Sequence, residues 1–232
     1  MAERPFPTLV EPRPAASVMV FRSAPAGPVV LYLRRNTGWR FTAATGSFQV
    51  DESTPEIEER TGRLTTRRRP DARRCAKRMR KPVKDLHVAL LEFAVHWTTP
   101  RTSPIRFSTW FFIAETTSDV VQIDGQEIHD HRWMRPVDTL RAQAAGTIRL
   151  AGPTFALTTR LAGYPDVPSV FNAVRQWTDE RLLGRLCDVT GGGVALYEQD
   201  IAYHDSGRAL GRSGPRHRLW MVDDGWRYER DF

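Results

Sequence analysis

The chain has 232 residues, of which 41% are hydrophobic and 26% are charged, so it is long enough for one globular core and an appendage. It contains no apolar run of membrane-spanning length, and Met1 to Pro14 mixes proline with both signs of charge, so we expect no secretory signal peptide. Cys75 and Cys187 are too few for a disulfide framework or a zinc site. We therefore expect two lone thiols and a reducing, cytoplasmic location.

The formal net charge of +7 comes from one segment. Between Arg60 and Lys84 there are twelve Lys and Arg and one acid, Asp71, which gives +11 and leaves −4 for the rest of the chain. A run of like charge with little to bury is typical of poorly packed segments, and we expect this of Thr61 to Lys84. Such a run can bind nucleic acid without sequence preference, and it contains no aromatic residue for base stacking. Non-specific nucleic-acid binding is therefore a minor alternative.

The first predicted elements are an arm and two strands. Residues 1–13 are expected to form a flexible arm. Ala15 to Phe21 and Pro28 to Leu33 are apolar runs typical of strands, and the turn-prone Ser23 to Gly27 separates them. Further along, Thr65 to Arg80 shows no apolar period of a strand or a helix.

A regular pattern returns after the basic segment. Leu86 to Phe93 is predicted to be a strand, and Arg106 to Glu115 has the aromatic, β-branched composition of a buried strand. A short strand from Ile128 to Trp133 precedes a helix that Pro136 begins and Gly146 ends. The local order is thus strand, loop, short strand, helix.

The C-terminal part is predicted to contain two more helices and several strands. Gly191 to Gly193 lacks the Lys-Ser/Thr of a phosphate-binding loop and precedes a strand, so we interpret it as a flexible linker. The predicted elements are helices from Pro153 to Gly163 and from Pro168 to Gly184, strands from Val194 to Glu198 and from Arg218 to Val222, and a hairpin turn at Asp224-Gly225 that leads into Trp226 to Tyr228.

Several short motifs occur in one order along the chain: Val29 to Arg35, His96 to Pro100, Arg106 to Phe112, Gly125, Glu127, and Trp133 to Pro136. In the order and spacing of these motifs the chain resembles the Nudix hydrolase superfamily, in the branch that contains the peroxisomal coenzyme A diphosphatases and their bacterial relatives. The terminal strands also resemble the tails of bacterial proteins of that branch.

The resemblance implies an α/β fold, namely a Nudix-type α/β/α sandwich with a mixed sheet, plus a C-terminal helix and β-hairpin. It divides the chain into the arm at 1–13, a Nudix-like domain at 14–163 with a degenerate basic segment at about 40–85, and an extension at 164–232. We expect one core that contains seven apolar residues: Val18, Val20, Leu31, Leu33, Phe111, Ile113 and Trp133.

The activity that the resemblance implies is Mg²⁺-dependent cleavage of a diphosphate linked to a nucleoside, with coenzyme A derivatives as one substrate class. The family motif is a Gly-Gly turn and a helix with the pattern Arg-Glu-x-x-Glu-Glu-x-Gly, whose glutamates share a face and converge on the metal. Here Arg78 to Val83 stands in that place. Only Arg78 matches, the carboxylates are absent, and Pro82 would break the helix. We expect no metal site and no catalysis from the chain as written.

Glu127 and Asp130 are the remaining candidate site residues. They precede Trp133 at the place where family members often carry an acid near the metal, and a solvated loop acid is an equal alternative for each. His129 and His131 flank Asp130 without a third ligand in sight, so we interpret them as solvated histidines at a strand end.

A shift of reading frame accounts for the missing motif. Read from the third base of each codon, the codons of Thr45 to Thr54 permit Trp-Val-Phe-Pro-Gly-Gly-Arg-Val-Asp-Pro, and those of Arg74 to Pro82 permit Val-Arg-Glu-Thr-x-Glu-Glu-Thr-Gly. Both motifs occur in the same alternative frame and follow each other in the order found in the family. The segments on either side of them match the family in the written frame. We infer compensating frame shifts over about residues 40–85, in the gene or in its reading, and an ordinary diverged insert is the alternative.

The sequence thus supports one main hypothesis and two alternatives. The main hypothesis is a Nudix-type diphosphatase of nucleoside-diphosphate-linked compounds that is inactive as written. The first alternative is a non-catalytic Nudix scaffold that binds a nucleotide or a protein partner. The second is the non-specific nucleic-acid binding by Arg60 to Lys84 described above.

Overall fold

The computed structural model of the chain describes residues 10–35, 40–46, 83–84, 90–117, 121–123, 128–177, 180–205 and 207–232. Among these residues no helix is long and apolar enough to cross a membrane.

Within these ranges the chain forms fourteen strands and three helices. The strands are β1 (Arg13–Ala24), β2 (Gly27–Arg35), β3 (Arg40–Gly46), β4 (Val83–Lys84), β5 (Leu90–Thr98), β6 (Phe107–Glu115), β7 (Gln122–Ile123), β8 (Ile128–Met134), β9 (Arg149–Leu150), β10 (Arg181–Leu183), β11 (Arg185–Val189), β12 (Gly192–Leu196), β13 (Arg216–Val222) and β14 (Arg227–Asp231). The helices are α1 (Pro136–Ala144), α2 (Gly152–Leu161) and α3 (Val167–Arg175).

A mixed sheet forms the centre of the fold. β1 runs parallel to β6 and antiparallel to β2, and β5 adds to β6 in an antiparallel pair. β3 pairs with both β1 and β2, β8 pairs with β2, and β10 extends the sheet beyond β5 in parallel. Ser17 to Phe21 of β1 are all buried, as a central strand covered on both faces requires. The predicted α/β fold with a mixed sheet is confirmed.

The strands predicted upstream of α1 are present with small changes of boundary. The predicted strands at 15–21, 28–33, 106–115 and 128–133 correspond to β1, β2, β6 and β8. The strand predicted from Leu86 corresponds to β5, which begins at Leu90, and residues 85–89 lie outside the described ranges.

The apolar side chains of the sheet divide into two clusters, one on each face. The predicted single core is wrong for Phe111 and Ile113. The parallel register sets Val18 opposite Phe112, and successive residues of a strand point to opposite faces, so Phe111 and Ile113 lie on the other side. That second face packs against residues of α2 and α3. The first face contains Ala16, Val18, Val20, Leu31, Leu33, Phe112 and Ala114, with Trp133 partly buried against them.

The first two helices begin near the prolines and end near the glycines from which their boundaries were predicted. Pro136 begins α1, and Gly146 adopts a left-handed φ of +70° just beyond its end. α2 likewise has a proline, Pro153, in its first turn and ends at Leu161 before Gly163.

The third helix is shorter than predicted. Asp166 caps α3 by accepting the backbone N–H of Ser169 at 2.8 Å, and the helix ends at Arg175. The prediction of helix to Gly184 is wrong because Leu182 pairs with Trp97 and extends the central sheet. At residues 181–183, pairing with β5 and burial against it outweigh the local preference for helix.

The C-terminal residues form a second, antiparallel sheet in the order β11-β12-β13-β14. The interpretation of Gly191 to Gly193 as a linker is wrong. Val189 pairs with Gly192, so Gly191 (φ +75°) lies in a two-residue hairpin turn and Gly192 begins β12. The predicted Asp224-Gly225 turn between β13 and β14 is confirmed, with the Gly225 N–H donating to the Val222 carbonyl at 3.1 Å.

Candidate functional site

Of the three residues predicted for the site, Asp130 is the one that the described part of the chain includes. Arg78 and Glu127 lie outside the described residues, so their roles stay predictions. Asp130 lies half-buried on β8. Its Oδ1 accepts the backbone N–H of His131 at 2.8 Å, and its Oδ2 lies 3.7 Å from Nε of Arg132. The carboxylate is therefore engaged by donors of its own strand.

The described donors around Asp130 do not by themselves make a magnesium site. Mg²⁺ requires near-octahedral oxygen ligands, whereas His131 next to Asp130 offers a nitrogen. Within the described ranges, no three His, Cys, Asp or Glu side chains are placed to share a metal ion. The side chain of His129 lies outside those ranges. The role of Asp130 as a site residue therefore stays a prediction, like those of Arg78 and Glu127.

The strand before the expected catalytic motif ends close to a row of aromatic side chains. Gly46, the last residue of β3, pairs with Ala16 of β1, and Ala16 pairs with Trp110 of β6. Trp110 in turn pairs with His96 of β5. The segment in which the resemblance places the catalytic motif therefore begins two strands away from Trp110.

Four half-buried side chains form what we call the aromatic shelf: Phe93, His96, Ser108 and Trp110. The rings of His96 and Trp110 are stacked, with centroids 4.5 Å apart and planes inclined by 26°. Phe93 lies 5.4 Å from Trp110 in a tilted arrangement. Nε2 of His96 lies 2.7 Å from Oγ of Ser108, within hydrogen-bonding distance. The shelf thus combines aromatic faces with a hydroxyl.

The imidazole on the shelf is uncharged at neutral pH. Burial lowers the pKa of His96 to about 4, and the positive charge of Arg181 adds to this shift. An uncharged imidazole stacked on an indole presents a flat surface to which a planar ring can stack. The shelf can therefore contribute stacking and a hydrogen bond, and it contributes no anionic metal ligand.

Sequence reasoning included His96 and Trp110 in the family resemblance and missed them as a site. The available signal was the spacing. Ser108 and Trp110 are two residues apart on a predicted strand, so they share a face. The pairing of that strand with His96 was needed to complete the shelf, and it depends on a register that one strand alone does not specify.

A second group of polar residues, which sequence reasoning also missed, lies in the C-terminal sheet. Asp200 and Arg218 are almost fully buried, and the carboxylate accepts Nε and Nη2 of the guanidinium at 2.6 Å each. The same carboxylate accepts the backbone N–H groups of Ala202 and His217 at 2.9 Å. Hydrogen bonds hold the pKa of Asp200 below its usual value against the opposing effect of burial, so the pair is ionised at neutral pH.

Comparison with known proteins yields structural similarities. No protein-family model and no curated protein matches the chain. A Nudix hydrolase from Alicyclobacillus acidocaldarius is similar at 19% identity over 75% of this chain and 99% of that chain, with a TM-score of 0.56. The Nudix domain of Shewanella oneidensis NrtR complexed with ADP-ribose matches at 13% identity over 65% of this chain and 86% of that chain, with a TM-score of 0.47. The first of these similarities establishes a shared fold.

Proposed function

We propose that this chain, which has the Nudix hydrolase fold, derives from Mg²⁺-dependent diphosphatases of nucleoside-diphosphate-linked compounds and has lost their hydrolytic activity. One observation carries the proposal. Arg78 to Val83 stands where the family motif requires three glutamates, and it contains none. Coenzyme A derivatives are the substrate class that the resemblance favours for the parent enzyme.

The missing carboxylates matter because of the charge that the reaction develops. Cleavage of a diphosphate needs a positive charge held against the phosphate oxygens in the transition state. In the family the glutamates hold that charge in place as a metal ion. Met79, Pro82 and Val83 offer no ligand oxygen in their side chains, and the positive charge of Lys81 repels a cation. The chain as written therefore lacks the group on which the family chemistry depends.

A paired assay tests this proposal. The written protein and a protein in which codons 40–85 are translated in the alternative frame are incubated with coenzyme A, NADH and a nucleoside diphosphate sugar, with Mg²⁺ and then with chelator. We expect Mg²⁺-dependent turnover from the frame-restored protein and none above background from the written one. Chelator-sensitive turnover by the written protein would contradict the loss of activity. A folded, frame-restored protein that hydrolyses none of these compounds would contradict the frame shift.

One observation favours a second candidate function, nucleotide binding without turnover. The aromatic shelf lies two strands from the start of the expected catalytic segment, and its rings are half-buried. Stacking of a base on an aromatic side chain contributes about 1–3 kcal/mol and needs no metal. A chain that has lost its catalytic carboxylates can therefore still bind the base of a nucleotide.

Calorimetric titration with coenzyme A and AMP tests the second candidate. Trp110→Leu keeps an apolar side chain on the shelf and removes the stacking surface, so it should weaken binding about tenfold. Trp220→Leu is the matched control, because Trp220 lies on the C-terminal sheet with its Nε1 bonded to Glu229 at 2.9 Å. Equal affinity of the wild type and the Trp110→Leu variant, or no binding by the wild type, would contradict nucleotide binding on the shelf.

We also propose a cytoplasmic location, which the scarcity of cysteine supports. Cys187 is a buried, free thiol, and Cys75 lies outside the described residues. The division into an arm at 1–13, a Nudix-like domain at 14–163 and an extension at 164–232 is likewise a proposal.

A further inference from the structure

Glu180 connects three layers of the fold. Its side chain is 6% exposed, and its Oε2 accepts Nη1 of Arg160 on α2 at 2.6 Å, while Oε1 accepts Nε of Arg230 on β14 at 3.3 Å. Its backbone carbonyl accepts the N–H of His96 on β5 at 3.0 Å. The helical layer, the C-terminal sheet and the central sheet therefore meet at one carboxylate residue.

His217 on β13 lies beside this junction, and its side chain is fully buried. Nδ1 lies 2.8 Å from Oε1 of Gln199, and Nε2 lies 2.8 Å from the hydroxyl of Tyr228. Because an amide oxygen only accepts, Nδ1 carries the hydrogen, and the hydroxyl of Tyr228 donates to Nε2. Both ring nitrogens are thus satisfied in the uncharged imidazole. A second proton on the ring would displace the hydrogen that Tyr228 donates.

The charges around His217 act in both directions. Glu180, with Oε1 3.9 Å from Nε2, and Asp200 favour a proton on the ring, whereas burial, Arg230 and Arg160 oppose it. Burial is the largest of these effects, and the pKa of His217 is lowered to about 4. The groups that face the ring come from four parts of the fold: Arg160 from α2, Glu180 from the segment before β10, Tyr197, Gln199 and Asp200 from the loop after β12, and Tyr228, Arg230 and Phe232 from β14 and the C-terminus.

We propose that Arg160, Glu180, His217, Tyr228 and Arg230 form a proton-sensitive latch that holds the C-terminal sheet on α2 and on β5. The latch is closed while the imidazole of His217 is uncharged. Opening exposes the ring to water, where it takes up a proton, so acid favours the open form by mass action. The backbone carbonyl of Glu180 accepts the N–H of His96, so the Glu180 side of the latch is attached to the strand that carries the aromatic shelf.

The size of the effect follows from the closed and open pKa values of one group. With a pKa of about 4 in the closed form and about 6.5 in the open form, the opening equilibrium constant should rise about 60-fold between pH 7 and pH 4.5. The rise should be confined to the strands that the latch holds. β2 in the central sheet serves as the internal reference, since it pairs with β1, β3 and β8 and none of its residues belongs to the latch or pairs with His96.

Hydrogen–deuterium exchange of the full chain at pH 7 and pH 4.5, corrected for intrinsic exchange rates, tests the proposal. In the wild type, residues 216–231 should lose protection by about 60-fold while residues 27–35 of β2 keep theirs. His217→Gln retains an amide that can bond Gln199 and Tyr228 and does not titrate, so residues 216–231 should stay protected. His204→Gln is the matched control in an exposed loop, and it should behave as the wild type.

Two results would overturn the latch. One is an equal loss of protection in the wild type and in His217→Gln, and the other is a loss in residues 27–35 as large as that in 216–231. If His217→Gln does not fold, the imidazole carbon signals of His217 in the wild type decide. They should remain those of the uncharged ring at pH 5.5, and titration near pH 6.5 in the folded protein would overturn the proposal.

Discussion

His96, which is half-buried, and His217, which is fully buried, have similar pKa values and different surroundings. His96 belongs to the half-buried aromatic shelf, where it stacks on Trp110 and bonds one hydroxyl. His217 belongs to the latch, where it is fully buried and both ring nitrogens have partners. Burial lowers the pKa of each to about 4. The aromatic side chains of the shelf are half-exposed, whereas both ring nitrogens of His217 in the latch are bonded to other side chains of the protein.

The contrast separates a surface suited to binding from a structural contact. Aromatic faces that are partly exposed can still gain contacts from a ligand. Buried charges that are already paired with each other have no free hydrogen-bonding group to offer a ligand. Removal of one partner leaves the other charge buried and unpaired, which strongly lowers the stability of the fold. We therefore expect substitutions near the latch to act on stability and substitutions on the shelf to act on binding.

The largest expected effect is that of Asp200→Ala, which would break the buried pair next to the latch. It should lower the free energy of unfolding by about 3–5 kcal/mol, because it leaves the guanidinium of Arg218 buried without its counter-charge. Urea unfolding at pH 7 measures the change. Glu198→Ala, at an exposed position two residues away, should stay within about 0.5 kcal/mol of the wild type. A loss below about 1 kcal/mol for Asp200→Ala would contradict the expectation that substitutions near the latch act on stability.

A smaller effect is expected from acid. The folded pKa of His217 (about 4) lies below the unfolded value (about 6.5), so the unfolded state takes up the proton first. The free energy of unfolding should therefore be highest above pH 6.5 and fall by about 3 kcal/mol from His217 alone as the pH drops to 4. Hydrogen bonds and arginine charges that lower the pKa values of Glu180 and Asp200 add a further loss as those carboxylates become protonated.

Unfolding curves of the wild type and His217→Gln between pH 7 and pH 4 check this sign. The variant should lose less stability with acid and keep the slope contributed by His96. Parallel curves for the two proteins would show that His217 is not the group that titrates.

The smallest expected effect concerns the exposed pair between α3 and β5. Nε of Arg175 lies 2.8 Å from Oε1 of Glu92, with side chains 46% and 31% exposed. Glu92→Gln should cost about 0.5 kcal/mol, and the difference from the wild type should shrink in 1 M salt. The measurement is urea unfolding at two salt concentrations. A cost above about 2 kcal/mol would contradict the expectation that this exposed ion pair contributes much less to stability than the buried pair of Asp200 and Arg218.

The sequence predicted the parts of the fold that depend on local patterns. The apolar runs of β1 and β6 and the helix between Pro136 and Gly146 follow from composition and punctuation. Local patterns failed where a distant partner decides the structure. Leu182 continues a helical pattern and becomes part of a strand because Trp97 lies beside it.

The candidate sites depend even more on distant partners. Arg160, Glu180 and Arg230 meet from positions 20 and 50 residues apart, and each looks in the sequence like an ordinary surface charge. Asp130 was selected from its place in the family order, and the structure shows its carboxylate engaged by its own strand. The predicted catalytic position at Arg78 lies outside the described residues.

The parallel pairing of β1 with β6 has a consequence for how the chain can fold. Arg13 pairs with Phe107, so the sheet closes a loop of about 94 residues. The entropy lost in closing such a loop costs about 4 kcal/mol and changes by only about 0.6 kcal/mol when its length doubles. That cost depends on the number of residues in the loop and not on their identity. The compensating frame shifts inferred from the sequence would change side chains between them and keep that number, so the same sheet could still close.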